Sequence, residues 1–233
     1  MHQLSVAIVS PFEAALDGAQ LVIFAGQKHF IPEEEAPKMI AKAGKYAAKN
    51  HVFLVTERFV VEDYLCACMF APDGELMGIG QATHLNMSLR QHNLLRSDEV
   101  SVFDTPFGKT ALLVDVDINM PQVCRAAVRA GAELIISTQH MPLYDFYEDR
   151  VKYGAVNAAR SNGVQVISVI GSGAAAVDAN GHFITRYTEA LPVATVIEPE
   201  VSLGDRRMMK VAHELLIAHR ELIDEPQEAK SDE

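Results

Sequence analysis

The chain has 233 residues, of which 49% are hydrophobic, and this composition supplies a core and excludes a wholly disordered protein. The formal net charge of −11 argues against binding to nucleic acid or to an anionic membrane, because both attract basic surfaces. Three cysteines without a disulfide framework, no visible signal peptide and no apolar run of about 18 residues predict a cytoplasmic location.

Hydrophobic periodicity predicts strands that alternate with helices. In chain order the elements are strands Ser5–Ser10 and Leu21–Phe24, helix Glu35–Asn50, strands His51–Val55, Tyr64–Ala71, Leu76–Gln81, Val100–Asp104 and Thr110–Val116, helix Pro121–Ala130, strand Glu133–Ser137, helix Tyr147–Asn162, strands Val164–Ile170, Ala174–Val177, His182–Tyr187 and Val193–Ile197, and helix Asp205–Ile223. No linker or internal repeat interrupts them, so residues 1–225 are predicted to form one domain and residues 226–233 a polar tail.

Turn sequences join several of these strands into hairpins. Pro72–Glu75, Thr105–Gly108 and Asp178–Gly181 each lie between two apolar runs and contain the residue types that tight turns require. Hairpins exclude a purely parallel βαβ arrangement. The pattern instead favours a mixed sheet, or two mixed sheets packed face to face with helices outside.

Several short segments occur in an order and at spacings that match one protein family over nearly the whole chain. They are Gly18–Phe24, Ala71–Gly74, Gly78–Gly80, Val102–Lys109, Asp117, Pro121, Arg125, Gly131–Ile136, Ala158–Asn162, Gly171-Ser172 and Gly204–Arg207. On these segments the chain resembles the nitrilase superfamily, the carbon–nitrogen hydrolases. The resemblance implies an α+β fold, namely a four-layer α-β-β-α sandwich with two mixed β-sheets.

The resemblance also implies hydrolysis of an amide or nitrile by a Glu-Lys-Cys triad, without a metal ion or an organic cofactor. In that triad the cysteine attacks as a thiolate, the glutamate takes its proton, and the lysine stabilises the tetrahedral anion. The family's glutamate follows a Phe-Pro pair, and the matching residue here is Gly26. The lysine precedes a His-Leu pair, which makes Thr83 its match, and the cysteine lies two residues before Asp117, at Asp115.

Two further departures affect the surroundings of these positions. From Thr83 to Ser97 the chain has no glutamate, although many members carry one between the lysine and the cysteine, and the helix after the first strand is shortened. Glycine has no side chain that could act as a base, and threonine carries no positive charge that could stabilise an anion. Aspartate is a poor nucleophile toward an amide. The leading hypothesis is therefore a pseudoenzyme that binds a ligand or a partner. The alternative is a hydrolase or lyase of non-thiol mechanism centred on Asp115, acting on a small amide, nitrile or carbamoyl compound.

A buried carboxylate at position 115 requires a partner or some contact with water. The residues that the sequence offers for binding a ligand are Asp115, Gln27, His84, Asn119, Thr138 and His140. A small amide or a cation is the predicted ligand, because carboxylates and histidines pair with such groups, and neither a metal site nor a cofactor is predicted. The other histidines, including His29 and His92, are assigned to structural or surface roles, and Cys124 to the interior.

Assembly and repair of the triad are also predicted. Small residues in Pro121–Ala130 and Tyr147–Asn162 favour a homodimer through these two helices, although they would equally allow close packing on the sheet. If Gly26, Thr83 and Asp115 match the triad, their side chains should line one cavity. Restoring Glu, Lys and Cys at the three positions should then create a thiol of lowered pKa.

Overall fold

Two mixed β-sheets lie face to face at the centre of the fold. The structure is a computed structural model, and it describes residues 3–15, 17–26, 28–140, 148–171, 173–188 and 191–198. Gln27 and the predicted helix Asp205–Ile223 lie outside the described residues. No helix in the described part of the chain is both long enough and apolar enough to cross a membrane.

The first sheet has seven strands, in the order β13-β1-β2-β3-β5-β4, with β6 paired to β5. Numbered in chain order, these strands are β1 (Leu4–Val9), β2 (Leu21–Phe24), β3 (Phe53–Val55), β4 (Phe59–Val61), β5 (Tyr64–Phe70), β6 (Leu76–Gln81) and β13 (Val193–Ile197). Strands β1, β2 and β3 run parallel to each other, whereas the other pairs in this sheet are antiparallel.

The second sheet has six strands, in the order β12-β11-β10-β9-β8-β7. They are β7 (Val102–Phe103), β8 (Thr110–Val114), β9 (Leu134–Gln139), β10 (Gln165–Ile170), β11 (Gly173–Val177) and β12 (Phe183–Thr188). Strands β8, β9 and β10 are parallel, so each sheet contains a parallel triplet whose carboxyl ends lie at one edge. In α/β proteins, ligands bind next to the carboxyl ends of parallel strands.

The helices of the described chain are α1 (Ala36–Asn50), α2 (Met87–Arg90), α3 (Pro121–Arg129) and α4 (Glu148–Asn162), and a 3₁₀ turn spans Asp115–Asn119. Helix α1 packs on the outer face of the first sheet, and α3 and α4 pack on the outer face of the second. A third apolar cluster fills the space between the sheets. This is the predicted four-layer α-β-β-α sandwich, and the fold class is confirmed.

The predicted strands and helices of the described chain are present, with small changes at their ends. Two short elements were not predicted, strand β4 and helix α2. The strand predicted as Thr110–Val116 ends at Val114, because Asp115 adopts a left-handed backbone conformation that no β-strand can continue. Between β1 and β2 the described residues form turns rather than a helix, in agreement with the shortened first helix.

Candidate active site at the ends of two parallel triplets

Asp115 stands at the carboxyl end of β8 in a strained backbone conformation. Its φ angle is 54°, which is uncommon for a residue with a side chain, and its side chain is 0% exposed. One carboxylate oxygen accepts a hydrogen bond from Asn86 Nδ2 at 3.2 Å, and the other accepts from the main-chain N–H of His140 at 3.3 Å. Non-glycine residues held in this region cluster at functional sites, because the surrounding structure must offset the strain.

Helix α2 explains the position of Asn86. The Asn86 side chain caps this short helix by accepting a hydrogen bond from the N–H of Leu89 at 2.9 Å. The same side-chain amide then donates to Asp115 through its nitrogen. Helix α2, which the sequence pattern did not predict, therefore positions the Asn86 side chain so that it donates a hydrogen bond to Asp115.

A fully buried arginine, Arg58, joins the edges of the two sheets. It lies between β3 and β4, and its side chain is only 2% exposed. Its N–H groups donate to main-chain carbonyls, with Nε on His29 (3.1 Å), Nη2 on Lys28 (2.9 Å) and Gly26 (3.2 Å), and Nη1 on Gln139. Because Gln139 ends β9 of the second sheet, this one side chain fixes the two parallel triplets against each other.

Burial and the nearby Arg58 act on Asp115 in opposite directions. Burial disfavours the charged carboxylate and raises the pKa of Asp115 to about 6, while the positive charge of Arg58 lowers it. The negative charge of Asp117 adds a smaller upward contribution to this pKa. Near neutral pH the Asp115 carboxyl group can therefore exchange a proton, as a general acid or base requires.

The raised pKa predicts how the stability contribution of Asp115 depends on pH. Between about pH 4 and pH 6 the folded chain binds a proton at Asp115 that the unfolded chain, with an ordinary carboxyl pKa, does not bind. The unfolding free energy of the wild type minus that of Asp115→Asn should thus fall by roughly 2–3 kcal/mol as the pH rises through this window. Urea unfolding of both proteins from pH 4 to pH 7.5 measures it, and a difference that stays flat or rises with pH would contradict the prediction.

Thr83 and His84 attach to the same 3₁₀ turn through Asp117. The Asp117 carboxylate accepts from the Thr83 N–H (2.8 Å), the Thr83 hydroxyl (2.7 Å) and the His84 N–H (2.9 Å), and His84 Nδ1 lies 3.2 Å from it. Gln122 Nε2 lies 3.3 Å from the other nitrogen of the His84 ring. Thr83 therefore lies beside the turn that carries Asp115, and its side chain is bound to Asp117.

Gly26 has no room for a side chain, because Glu57 occupies the space. A Cβ atom on Gly26 would lie 2.1 Å from Glu57 Oε2 and 2.6 Å from Glu57 Cβ. The carbonyl of Gly26 accepts from Arg58, so Gly26 is linked to the Asp115 region through that guanidinium. The structure thus places the backbone of Gly26 near the site, with a neighbouring carboxylate at the glycine itself. Gln27, which was predicted to bind a ligand, lies outside the described residues.

Three histidines gather next to Asp115 and Arg58. The ring centroids of His29 and His140 are 4.7 Å apart, and those of His29 and His92 are 6.0 Å apart. Burial, followed by the nearby His140, Arg58 and His92, lowers the pKa of His29 to about 4, and burial and Arg58 lower the pKa of His140. His29 is therefore neutral at neutral pH, and its buried Nε2 has no hydrogen-bond partner among the residues that the structure describes. Across the described chain, no three His, Cys, Asp or Glu side chains are placed to hold a metal ion.

The end of β9 presents polar side chains to both faces of its sheet. Thr138 is 1% exposed, and within the described part of the chain its hydroxyl has no hydrogen-bond partner. Leu134 and Ile136 face the space between the sheets, so the alternation of the strand places Thr138 on that face too.

Gln139 faces the opposite side, where its amide bonds to Ser168 Oγ (2.6 Å) and to Asn119 Nδ2 (3.5 Å). A Cβ on Gly154 of α4 would lie 2.3 Å from Asn119 Oδ1, so Asn119 packs under that helix. Of the predicted ligand-binding residues, Asp115 and His140 are in direct contact, whereas Asn119 belongs to the other face.

All three cysteines of the chain are buried. Burial raises the pKa of Cys66 and of Cys124 to about 12, and it raises that of Cys68 further. Cys124 lies within hydrogen-bonding distance of the carbonyls of Asp117 and Ile118 through its Sγ atom, at 3.9 and 3.4 Å. None of the three thiols is therefore poised to act as a nucleophile at neutral pH.

Comparison with known proteins gives these positions a family context. A family model described as carbon–nitrogen hydrolase matches residues 13–205. The chain belongs to the carbon–nitrogen hydrolase family. The match includes β2, the Thr83 region, the 3₁₀ turn with Asp115 and the parallel triplet of the second sheet, so the site described above lies inside the family's own domain.

Solved structures share the fold of this carbon–nitrogen hydrolase family member. The carbon–nitrogen hydrolase from Helicobacter pylori G27 is 16% identical, with a TM-score of 0.78 over 96% of this chain and 99% of that one. An amidase from Nesterenkonia sp. is 18% identical, with a TM-score of 0.72 over 91% of this chain and 96% of that one.

A mutant of the Nesterenkonia sp. AN1 amidase shows Michael addition of acrylamide at its active-site cysteine. It is 17% identical, with a TM-score of 0.72 over 91% of this chain and 100% of that one. At these identities the likeness establishes the shared fold. A comparison with curated protein sequences gave no match.

Proposed function

We propose that this carbon–nitrogen hydrolase family member binds a small amide beside Asp115 and does not hydrolyse carbon–nitrogen bonds through a thiolate. The observation that carries the proposal is the buried Asp115 at the strand end where the resemblance assigns the cysteine. A related amidase has an active-site cysteine that acrylamide modifies. Here all three thiols are buried elsewhere, and burial raises the pKa of each of them.

Several polar groups around Asp115 favour an amide over a cation. Arg58 already offsets the charge of Asp115, so a second cation would meet repulsion as well as attraction. An amide is neutral and offers both donors and an acceptor. Its N–H groups would suit the Asp115 carboxylate, and the unpartnered Thr138 hydroxyl and His29 Nε2 would supply further hydrogen bonds.

Propionamide tests the proposal in two measurements, its binding by calorimetry and ammonia release in solution. We expect binding that weakens at least tenfold in Asp115→Ala, no ammonia release, and no change in binding after treatment with N-ethylmaleimide. Asp104→Ala is the matched control, because Asp104 is an exposed carboxylate that pairs with Lys109 at 2.9 Å. Ammonia release that N-ethylmaleimide abolishes, or binding that Asp115→Ala leaves intact, would overturn the proposal.

A hydrolase or lyase of non-thiol mechanism is the second candidate, and the pKa of Asp115, raised by burial to about 6, favours it. Such an enzyme would release ammonia from amides in a reaction that N-ethylmaleimide does not inhibit and that Asp115→Ala abolishes. With Asp115 as a base, the rate would increase as the pH rises through about 6. The same ammonia assay, followed from pH 4.5 to pH 8, separates this candidate from simple binding.

The homodimer and the cytoplasmic location stay predictions. Four of the six small residues that suggested a dimer are buried within the chain, where they pack helices on the second sheet; these are Ala127, Ala155, Ala158 and Ala159. Ala126 and Ala130 are exposed, and Tyr153 of α4 is exposed as well. We therefore propose α3 and α4 as the dimer surface on these exposed residues, and sedimentation at micromolar concentration tests it.

A further inference from the structure

A pocket opens where the parallel strands of the first sheet end. Its volume is about 460 Å³, within the range of small-molecule sites. The lining residues are Ser10, Pro11, Ala25, Lys28, Ile31, Glu35 and Glu57. They follow β1, β2 and β3 in turn or precede α1, so the carboxyl ends of three parallel strands form the floor of this pocket.

Glu57 is the polar group at the bottom of this pocket. Its side chain is 7% exposed, and no donor within the described residues bonds to its carboxylate. Burial raises the pKa of Glu57, and the positive charges of Arg58 and Lys28 lower it. Arg58 uses its N–H groups on main-chain carbonyls, so it attracts Glu57 only at a distance. The carboxylate of this largely buried residue therefore opens to the pocket, where it can accept hydrogen bonds from a ligand.

We propose that this pocket binds a small organic ammonium compound, with Glu57 as the group that accepts its N–H donors. The side chains of Pro11, Ala25 and Ile31 provide an apolar wall for the carbon chain of the ligand. Glu35 adds a second carboxylate at the mouth, which favours a cation over an anion.

Lys28 narrows the class of ligand further. Its exposed side chain lines the same pocket and carries a positive charge, which repels a simple ammonium but attracts a carboxylate. A molecule with an ammonium group at one end and a carboxylate at the other satisfies Glu57 and Lys28 together. Amino acids have this arrangement of charges. Asp115 does not line this pocket, so the inference does not rest on the function proposed for Asp115.

Three matched probes test the inference: 4-aminobutanoate, butylammonium and butanoate, each titrated by calorimetry into the full chain at pH 7. We expect 4-aminobutanoate to bind most tightly, butylammonium to bind less tightly, and butanoate not to bind. Glu57→Gln should lower the affinity for both ammonium compounds at least tenfold. Lys28→Gln should lower the affinity for 4-aminobutanoate, because the attraction between Lys28 and the carboxylate is lost. It should raise the affinity for butylammonium, because the repulsion between Lys28 and the ammonium group is lost. Asp115→Ala should leave all three results unchanged.

The inference is overturned if neither ammonium compound binds, or if Glu57→Gln binds them as the wild type does. Binding that Asp115→Ala abolishes would also overturn it, by assigning the probe to the other site. If Glu57→Gln does not fold, the wild type still decides the question. Burial raises the pKa of Glu57, and cation binding favours its ionised form, so binding should release protons as the pH is lowered from neutral, which calorimetry in two buffers of different ionisation enthalpy detects. No proton release would count against Glu57 as the binding group.

Discussion

Arg58→Met should lower the free energy of unfolding by about 3–5 kcal/mol, because it removes one member of a buried charged group and leaves the rest unpaired. The main-chain carbonyls that lose their donor are those of Gly26, Lys28, His29 and Gln139. Asp115 loses the positive charge that lowers its pKa, so this pKa should rise further above 6. Methionine fills a similar volume, which limits the loss of packing.

Urea unfolding measures this effect, and Arg90→Met is its matched control. Arg90 is an exposed arginine with one hydrogen bond, from Nε to the carbonyl of Leu85 at 3.1 Å, so its replacement should change stability by less than about 1 kcal/mol. The effect of Arg58→Met should be larger at pH 8 than at pH 5, since Asp115 is ionised only at the higher pH. Equal effects of the two substitutions would show that Arg58 does not hold the sheet edges together.

The sequence contains enough information for the fold where strands are continuous apolar runs. Leu21–Phe24, a continuous apolar run, and Val193–Ile197, in which buried and exposed residues alternate, begin and end in the structure at the predicted residues. Strand β4 was missed since Phe59–Val61 offers only three residues of pattern, and a left-handed pair, Glu62 and Asp63, follows it at once. Helix α2 is one turn long and has no periodicity to detect.

The position of Asp115 at a strand end was predictable from the sequence, whereas the burial of Glu57 and Arg58 was not. Motif order placed Asp115 at a strand end. Thr56, Glu57 and Arg58 look like a solvated loop, because charged residues are mostly exposed. Their burial depends on contacts with groups such as the Gln139 carbonyl, 81 residues away. The available clue was position, since Glu57 and Arg58 directly follow β3, one of three parallel strands whose ends meet at one edge.

The roles of the histidines also depend on contacts between residues far apart in the sequence. His29 and His92 were assigned to structural or surface positions, and each has an unremarkable local sequence. In the structure they lie with His140 in one cluster, because the segments that follow β2, α2 and β9 meet above Arg58. Contacts between residues 29, 92 and 140 are set by the packing of the two sheets, which no local pattern encodes.

Gly26→Ala should destabilise the chain by about 3 kcal/mol, because the added Cβ would lie 2.1 Å from Glu57 Oε2 and 2.6 Å from Glu57 Cβ. In a Glu57→Gly background the same substitution should change stability by less than about 1 kcal/mol, since all three clashing Glu57 atoms are gone. The four proteins form a double-mutant cycle measured by urea unfolding. Gly18→Ala is the control, because no atom lies within 4 Å of its Cβ position and only its φ of +77° is unfavourable.

The cycle also decides whether the family triad can be restored here. The sequence alone predicted that Gly26→Glu, Thr83→Lys and Asp115→Cys together would create a thiol of lowered pKa. A glutamate at position 26 meets Glu57 in the structure, and the burial that raises the pKa of Asp115 would raise that of a thiol as well. Thr83→Lys would in addition break the hydroxyl bond to Asp117. Replacing Glu57 by glycine as well removes the clash at position 26 but leaves position 115 buried, so we expect no reactive thiol in either background. A cost of Gly26→Ala that is the same in both backgrounds would show that Glu57 does not keep position 26 as glycine, and the steric objection to restoring the glutamate would fall.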